Sequence, residues 1–321
     1  MGRKPILLTC SIAILLLSGV YAMTTRLWVI LLSAIVHGVF WSALLSASAA
    51  LMADLIPSAR RAEGIGYWGM ASALSIALAP SLGLWILEYG WDWLCLLIGT
   101  LAMGMFLIAF QFPEKSNRGR FSFEGFLEAA LIEKRVFLLS MTLFLYTFGY
   151  GGITSFVALY AQDHGIRPKG LFFTVFSIVI LATRPFLGRL ADRKGRRRVL
   201  LPCLALIAIS VGLLALSPGL PVMITSAVLF GVGFGSAYPV FAAYILERVD
   251  VKRRGVTFGS ILLALDTGIG SGSILLGVVI EHFGYRPAFA LGSLLALGSI
   301  PYFRFVDNRF GRIPTSMNNA S

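Results

Sequence analysis

Two ionisable side chains lie deep inside apolar stretches of this chain, where such groups are costly and are therefore candidates for function. Asp266 lies about ten residues into one apolar run, about 15 Å along a helix, and His37 lies equally deep in another, one turn before Trp41. At this depth a carboxylate or an imidazole can bind a substrate or carry a proton, and a neighbouring aromatic ring suits an organic or cationic ligand. For both residues the alternative is a structural role in packing.

Ten apolar runs carry these residues, and each has about the 20 residues needed to cross a hydrocarbon core. They cover residues 6–24, 27–53, 64–87, 92–112, 136–161, 169–188, 199–217, 220–246, 256–280 and 286–305. The chain is 57% hydrophobic and only 13% charged, with a mean hydropathy of +0.83. The runs lack the alternating pattern of barrel strands, so we predict an all-α integral membrane protein with ten transmembrane helices.

The basic residues fall mostly on one side of the predicted membrane. Taking alternate connections, 22 of the 27 Lys and Arg residues lie on the side of the first residues, 4 lie on the other, and Arg184 is within a span. This distribution predicts a multi-pass protein of the cell membrane with both termini in the cytoplasm. It also accounts for the net charge of +12 without a nucleic-acid partner.

An internal repeat appears when the chain is shifted by 193 residues, which places GRKPILLTCSIAILLLSGVYA over GRRRVLLPCLALIAISVGLLA. Identities such as Cys10 with Cys203 continue as far as Glu88 with Glu281. We therefore predict four spans in residues 1–112, a cytoplasmic linker at 113–135, six spans in 136–307 and a tail at 308–321. The second copy has two more runs before its Gly195, so we interpret 6–24 as a retained span rather than a secretory signal peptide, which its basic start also fits.

The segment GRLADRKGRRRVL, between the sixth and seventh runs, resembles the cytoplasmic signature of the major facilitator superfamily of secondary transporters. The matching positions are Gly188, Leu190, Asp192, Gly195, Arg196, Arg197 and Leu200. The resemblance extends over about residues 2–305. It implies a fold of two helix bundles in which these spans correspond to helices three to twelve, so that the first two helices are lacking.

The signature segment is predicted to be a loop with a gating role for Gly188, Asp192, Gly195, Arg196 and Arg197. Gly188 would let two helices approach closely, and Asp192 would accept hydrogen bonds at a helix N-terminus. The arginines would pair with Asp192 or with anionic headgroups.

The resemblance also implies a central cavity lined by the spans that contain His37, Tyr146 and Tyr238. Together with the deep ionisable groups, it defines a candidate substrate or proton site of Asp266, His37, Trp41, Tyr146, Tyr150 and Tyr238. Arg184 and Glu247 are candidates for a cytoplasmic charge network. Glu247 can pair with Arg253 and Arg254 or with Arg196. Arg184 can reach the interface, pair with Asp192 or pair with a neighbouring helix.

Two departures from the family weaken the case for a proton-driven drug antiporter. Ala34 stands where many proton-coupled members have an arginine, and LAPSLGL keeps only Pro80 and Gly83 of the exporters' Gly-Pro-x-x-Gly-Gly signature. The glycine-rich segments at 231 and 268 superficially resemble dinucleotide loops, but no strand precedes them, so helix packing explains them better.

These features predict a secondary active transporter of a small organic solute, working by alternating access, with export favoured over import. We expect a monomer in the lipid bilayer, with no cofactor or metal and with a proton as the candidate coupling ion. A truncated remnant that no longer transports is one alternative. A membrane-embedded enzyme is the other, and it is disfavoured because no H-E-x-x-H, G-x-S-x-G or nucleotide-binding motif is present.

Overall fold

The computed structural model describes residues 3–55, 71, 74–75, 78–112, 134–249 and 254–310, and the segments it describes are helices joined by short connections. The helices are α1 (Arg3–Met23), α2 (Leu27–Leu55), α3 (Leu78–Leu87), α4 (Trp91–Gln111), α5 (Lys134–Asp163), α6 (Leu171–Lys194), α7 (Arg196–Leu216), α8 (Leu220–Leu246), α9 (Arg254–Phe283) and α10 (Tyr285–Phe310). The all-α prediction is confirmed for this part of the chain.

Eight of these helices are long and apolar enough to cross a membrane, and α6 makes nine if its two bent halves form one span. The halves, Leu171–Arg184 and Phe186–Lys194, differ in direction by 46°, and Pro185 between them removes one helical hydrogen bond. The predicted span at 64–87 lies largely outside the described residues, where only α3 is a continuous helix. The total of ten therefore stays a prediction.

The chain divides into two compact units, Met1–Phe121 and Ser122–Ser321. In the first unit α1 packs against both α2 and α4. A core of small and aliphatic side chains, including Cys10, Ile14 and Ala102, fills this junction. The predicted linker at 113–135 lies outside the described residues except for the first turn of α5.

In the second unit, the most extensive contacts join the helices in the order α9, α5, α10, α7, α8, α6. Large apolar side chains such as Tyr160, Phe241 and Phe303 are fully buried in this bundle. The helices are apolar on most sides, as expected where one side meets other helices and the other meets lipid.

The glycine-rich segments of α8 and α9 pack against neighbouring helices, which confirms their interpretation as packing surfaces. A Cβ on Gly233 would lie 2.7 Å from the carbonyl oxygen of Cys203 in α7. A Cβ on Gly272 would collide with the carbonyl oxygen of Phe148 in α5. The backbones of α5 and α9 therefore approach as closely as small-xxx-small spacing allows.

Two hydroxyl groups reinforce the contact between α5 and α9. Thr147 donates from Oγ1 to the carbonyl oxygen of Leu265 at 3.3 Å, and Ser273 donates from Oγ to the carbonyl oxygen of Gly151 at 3.0 Å. Backbone carbonyls that already accept a helical hydrogen bond thus accept a second one across the interface. This pairing fixes the position of α9 relative to α5.

The signature segment is helical, so the prediction of a loop from 188 to 200 is wrong. Helix α6 continues to Lys194 and α7 begins at Arg196, leaving only Gly195 between them. Its φ of +91° is a conformation that favours glycine. Its N–H donates to the carbonyl oxygen of Ala191 at 3.0 Å, which closes α6. Hydropathy predicted shorter helices here, because α6 and α7 extend beyond their apolar parts with charged residues.

Two glycines on α9 should respond oppositely to the same substitution. Gly272→Ala should lower the free energy of unfolding by about 1–3 kcal/mol, because the new methyl group would overlap the backbone of α5. Gly270→Ala should leave it unchanged or raise it by up to about 1 kcal/mol, because a Cβ there meets nothing within 4 Å and alanine favours the helix. Reaction of a maleimide dye with the buried cysteines on heating would report both midpoints, with Cys203 reporting on this unit, and equal shifts would contradict the packing argument.

Candidate functional site

A network of charged side chains joins three helix ends at one end of the second unit, which we call the basic end because Arg193–Arg198 lie there. Arg196 is its centre. Its Nη1 lies 2.6 Å from Oε2 of Glu247 and donates to the carbonyl oxygen of Ala243 at 2.7 Å. Its Nη2 lies 3.7 Å from Oδ1 of Asp192. One guanidinium therefore links the end of α6 and the start of α7 to the end of α8.

The carboxylate of Asp307 forms a second, more deeply buried part of this network. Its side chain is only 4% exposed, and its Oδ2 lies 3.0 Å from Nη1 of Arg197. Its Oδ1 accepts a hydrogen bond from the hydroxyl of Tyr244. Arg248 lies over the Tyr244 ring, 3.6 Å from its centroid. Both oxygens of the buried carboxylate thus have partners, as burial of a charge requires.

Between these two parts lies an open cleft of about 440 Å³. Its lining combines the acids Asp192 and Glu247 with basic residues from α6, α7 and the segment after α8. The cleft is therefore a charged surface rather than an apolar pocket. Each described ion pair between helices here lies at a helix end, and water can replace the partner of the exposed Asp192 and Glu247.

Glu247 pairs with Arg196, one of the alternatives predicted from the sequence. Arg253 lies outside the described residues, so pairing with Arg253 is not described. Arg184 is partly buried in α6 and has no hydrogen bond or ion pair with a residue that the structure describes. The predicted pair of Arg184 with Asp192 is therefore not found there, because Asp192 pairs with Arg196 instead.

The expectation for Asp192 is wrong, and close packing at Gly188 is not found within the second unit and otherwise stays a prediction. A Cβ on Gly188 would have no described atom within 4 Å, so this glycine does not serve close helix packing within its own bundle. It lies on an exposed side of α6. Asp192 lies in the last turn of α6 rather than at a helix N-terminus, and its described partner is a side chain.

Four of the predicted substrate or proton residues belong to the second unit. Asp266, on α9, is exposed on the surface of the unit and is an electrostatic neighbour of Tyr238 on α8. Tyr238 in turn neighbours Tyr146 on α5, whose fully buried hydroxyl has no described hydrogen-bond partner. Asp266 and Tyr238, and Tyr238 and Tyr146, are therefore within electrostatic range of each other, with no hydrogen bond described between them.

Tyr150, one turn after Tyr146 on α5, lies in an aromatic cluster between α5, α6 and α8. Its ring centroid is 4.1 Å from that of Phe234 and 5.7 Å from that of Phe230. Phe176 of α6 packs against all three rings. The arrangement indicates a packing role for Tyr150 here.

His37 and Trp41 belong to the first unit. The Nδ1 of His37 lies 3.5 Å from the hydroxyl of Tyr21 on α1, and Trp41 is 50% exposed. The backbone carbonyl of Tyr21 also accepts a hydrogen bond from Nε1 of Trp91. His37 therefore contacts a polar residue of its own unit, as the structural alternative predicts, and its binding role stays a prediction.

Sequence reasoning missed Asp307, Tyr244 and Arg248. Asp307 follows the last predicted span, where an acid next to arginines resembles an ordinary solvated residue. A signal was present, because Asp307 is the sole acid in a segment of three arginines, 304–312. Within the described residues, no group of three His, Cys, Asp or Glu side chains could hold a metal ion.

Adjacent arginines on α7 should contribute very differently to stability. Arg197→Gln would leave the buried carboxylate of Asp307 without its cation and should lower the free energy of unfolding by about 2 kcal/mol. This is less than the roughly 3–5 kcal/mol for a fully buried pair, because the Arg197 side chain is 42% exposed. Arg198→Gln, at an exposed neighbouring position, is the control and should change it by less than about 0.5 kcal/mol. Thermal unfolding in one detergent would compare them, and an equal loss in both would contradict the assigned role of Asp307.

Both sequence relatives and solved structures of known proteins support the fold. A Pseudomonas aeruginosa (strain LESB58) protein described as an uncharacterised MFS-type transporter is 29% identical over 160 residues, which are 50% of this chain and 40% of that protein. The staphylopine export protein of Staphylococcus aureus (strain Mu50) is 23% identical over 258 residues, which are 76% of this chain and 65% of that protein. The chain thus spans less than two thirds of the length of either relative.

Among solved structures, the human organic anion transporter MFSD10 has the same fold, with a TM-score of 0.69 at 19% identity over 94% of this chain and 77% of that chain. The sequence model of the Major Facilitator Superfamily matches residues 1–172 and 168–318. The two matched stretches together cover almost the whole sequence, including the signature segment and both units. The chain therefore belongs to the Major Facilitator Superfamily.

Proposed function

We propose that this protein is a monomeric secondary active transporter that moves a small organic solute across the cell membrane by alternating access. The observation that carries the proposal is the bridge from Arg196 to both Asp192 and Glu247 at the basic end. Transport by alternating access needs contacts that hold one conformation and release in another. A bridge at helix ends whose two carboxylates are exposed meets that need.

The electrostatics of the helix ends favour a bridge that opens and closes. Arg196 lies in the first turn of α7, where the helix dipole disfavours a cation, and Glu247 lies at the end of α8, where it disfavours an anion. Each charge is therefore stabilised by the other helix rather than by its own. Asp192 and Glu247 are 70% and 57% exposed, so exchanging these contacts for water costs only about 0–1 kcal/mol per pair.

Export is the direction we favour. The Staphylococcus aureus relative is named for the export of staphylopine, and that name supports the same direction here. A proton is the proposed coupling ion, with Asp266 and His37 as its candidate carriers. Both cytoplasmic termini and the basic end facing the cytoplasm follow from the charge distribution and belong to this proposal.

Transport can be tested before the solute is identified. The protein would be reconstituted in liposomes loaded with a mixture of nucleosides, amino acids, sugars, organic acids and organic amines, and release would be followed by mass spectrometry under a pH gradient of either sign. We expect at least one solute to leave faster than from protein-free liposomes, and a protonophore to remove the difference. Release equal to that of protein-free liposomes for all solutes would contradict the proposal.

The bridge itself makes a prediction about rate. Arg196→Gln should slow release of the transported solute by about tenfold, because the two ion pairs that it removes, at about 0–1 kcal/mol each, together suffice for a change of that size in the balance of conformations. Arg193→Gln, an exposed charge three residues earlier without a described ion pair, is the matched control and should release solute at the wild-type rate. Equal rates in both variants, at equal amounts of folded protein in the liposomes, would remove the bridge from the mechanism.

A further inference from the structure

Asp266 is a carboxylate within the membrane-spanning part of α9, Gly259–Phe283, and it is exposed on the surface of the second unit. It makes no hydrogen bond or ion pair with any residue that the structure describes. The other acids described in this unit differ from it: Asp192, Glu247 and Asp307 have arginine partners, and Asp163 accepts a hydrogen bond from Tyr285. Only Glu281, at the end of the same helix, is described with no such partner.

Two of the helices packed against α9 offer Asp266 no countercharge. Helices α5 and α8 contain no Lys, Arg or His between residues 136 and 163 or between 220 and 246. On α9 itself, the nearest basic positions are Arg254 and His282, about 18 and 24 Å away along the helix axis. The third neighbour, α10, carries Arg304 at about the same height, and no ion pair between Arg304 and Asp266 is described. Asp266 is therefore unpaired among the described residues.

The surface beside Asp266 is open, and its chemistry does not suit lipid. One turn further along α9, a Cβ on Gly270 would meet nothing within 4 Å. Thr267 is also exposed. An ionised aspartate facing hydrocarbon at mid-helix is costly, even on the mildest insertion scale. A water-filled recess that admits a cation removes this cost, because the cation supplies the missing charge.

An aromatic ring lies within electrostatic range of Asp266. Tyr238 of α8 is partly buried, and its hydroxyl interacts electrostatically with the Asp266 carboxylate. A tyrosine ring near a carboxylate can face a positive charge that the carboxylate attracts. A carboxylate and an aromatic face together match an organic ammonium or a similar cation carried on an apolar body.

We propose that Asp266 is the recognition residue for positively charged organic solutes, with Tyr238 packing against the cation. This inference rests on the proposed transport function and specifies the substrate class at one of its candidate sites. Binding is the property that the geometry predicts, so binding can be measured independently of transport.

The experiment compares cations with an anion of the same shape. The full chain in lipid nanodiscs would be titrated with tetraethylammonium, ethidium and radiolabelled tetraphenylphosphonium, with empty nanodiscs subtracted. Tetraphenylborate, which has nearly the same size as tetraphenylphosphonium and the opposite charge, is the control ligand. We expect saturable binding of at least one cation and none of tetraphenylborate. Equal binding of the two tetraphenyl ions, or binding of none of the three cations, would overturn the inference.

Three variants test whether cation binding depends on Asp266. Asp266→Asn keeps the shape of the side chain and removes its charge, and it should weaken cation binding by about tenfold or more. Asp266→Glu should restore part of that loss. Glu281→Gln removes a charge about 22 Å further along the same helix, and it should bind like the wild type. Unchanged binding in Asp266→Asn, with the thermal midpoint of the wild type, would also overturn the inference.

The outcome separates this inference from the proposed function. If the liposome experiment finds a neutral or anionic solute that Asp266→Asn releases at the wild-type rate, transport stands and cation recognition fails. If the cations bind through Asp266 but none of the solutes is released, cation recognition stands and transport fails.

Discussion

The second unit depends on one constraint: a polar group in or near a membrane-spanning helix must find its partner within the protein, because hydrocarbon offers none. Hydroxyls meet the constraint locally, as when Ser177 donates to the carbonyl oxygen of Phe173 at 2.5 Å. Charges meet it across helix ends, where Arg196 and Arg197 reach carboxylates on other helices. Asp266 is unusual because it lies within the spanning part of α9 and has no such partner among the described residues.

Helix α9 has two sides with opposite packing. On one side Gly268 and Gly272 bring its backbone against α5, and the hydroxyls of Thr147 and Ser273 add hydrogen bonds between the two helices. On the side of Asp266, Gly270 leaves open space. Small residues thus allow close contact with α5 on one side of α9 and leave the surface beside Asp266 open on the other. The rigid side holds the exposed carboxylate at a fixed depth, as a binding residue requires.

The sequence predicted the fold well because hydropathy over about 20 residues reports directly on helices that cross a membrane. It also paired Glu247 with Arg196 as one alternative, because both lie where spans end on the same side. Sequence reasoning failed for features that depend on contacts between residues far apart in the chain. The burial of Asp307 depends on Tyr244, 63 residues away, and no local pattern encodes that contact. It also placed a loop where α6 and α7 continue through charged residues, since hydropathy ends with the apolar core and helices do not.

Helix α8 connects the two regions of chemical interest. Tyr238, beside Asp266, and Glu247, paired with Arg196, are nine residues apart on this helix, about 14 Å along its axis. Pro239 lies inside the helix immediately after Tyr238, and it leaves the carbonyl of Gly235 without its helical donor, which makes bending easier at this point. Coupling between two sites requires an element with two arrangements that both sites bias. Helix α8 contacts both regions, and Pro239 between them makes the helix easier to bend. A ligand against Tyr238 and an ion pair at Glu247 would therefore act on the same bend.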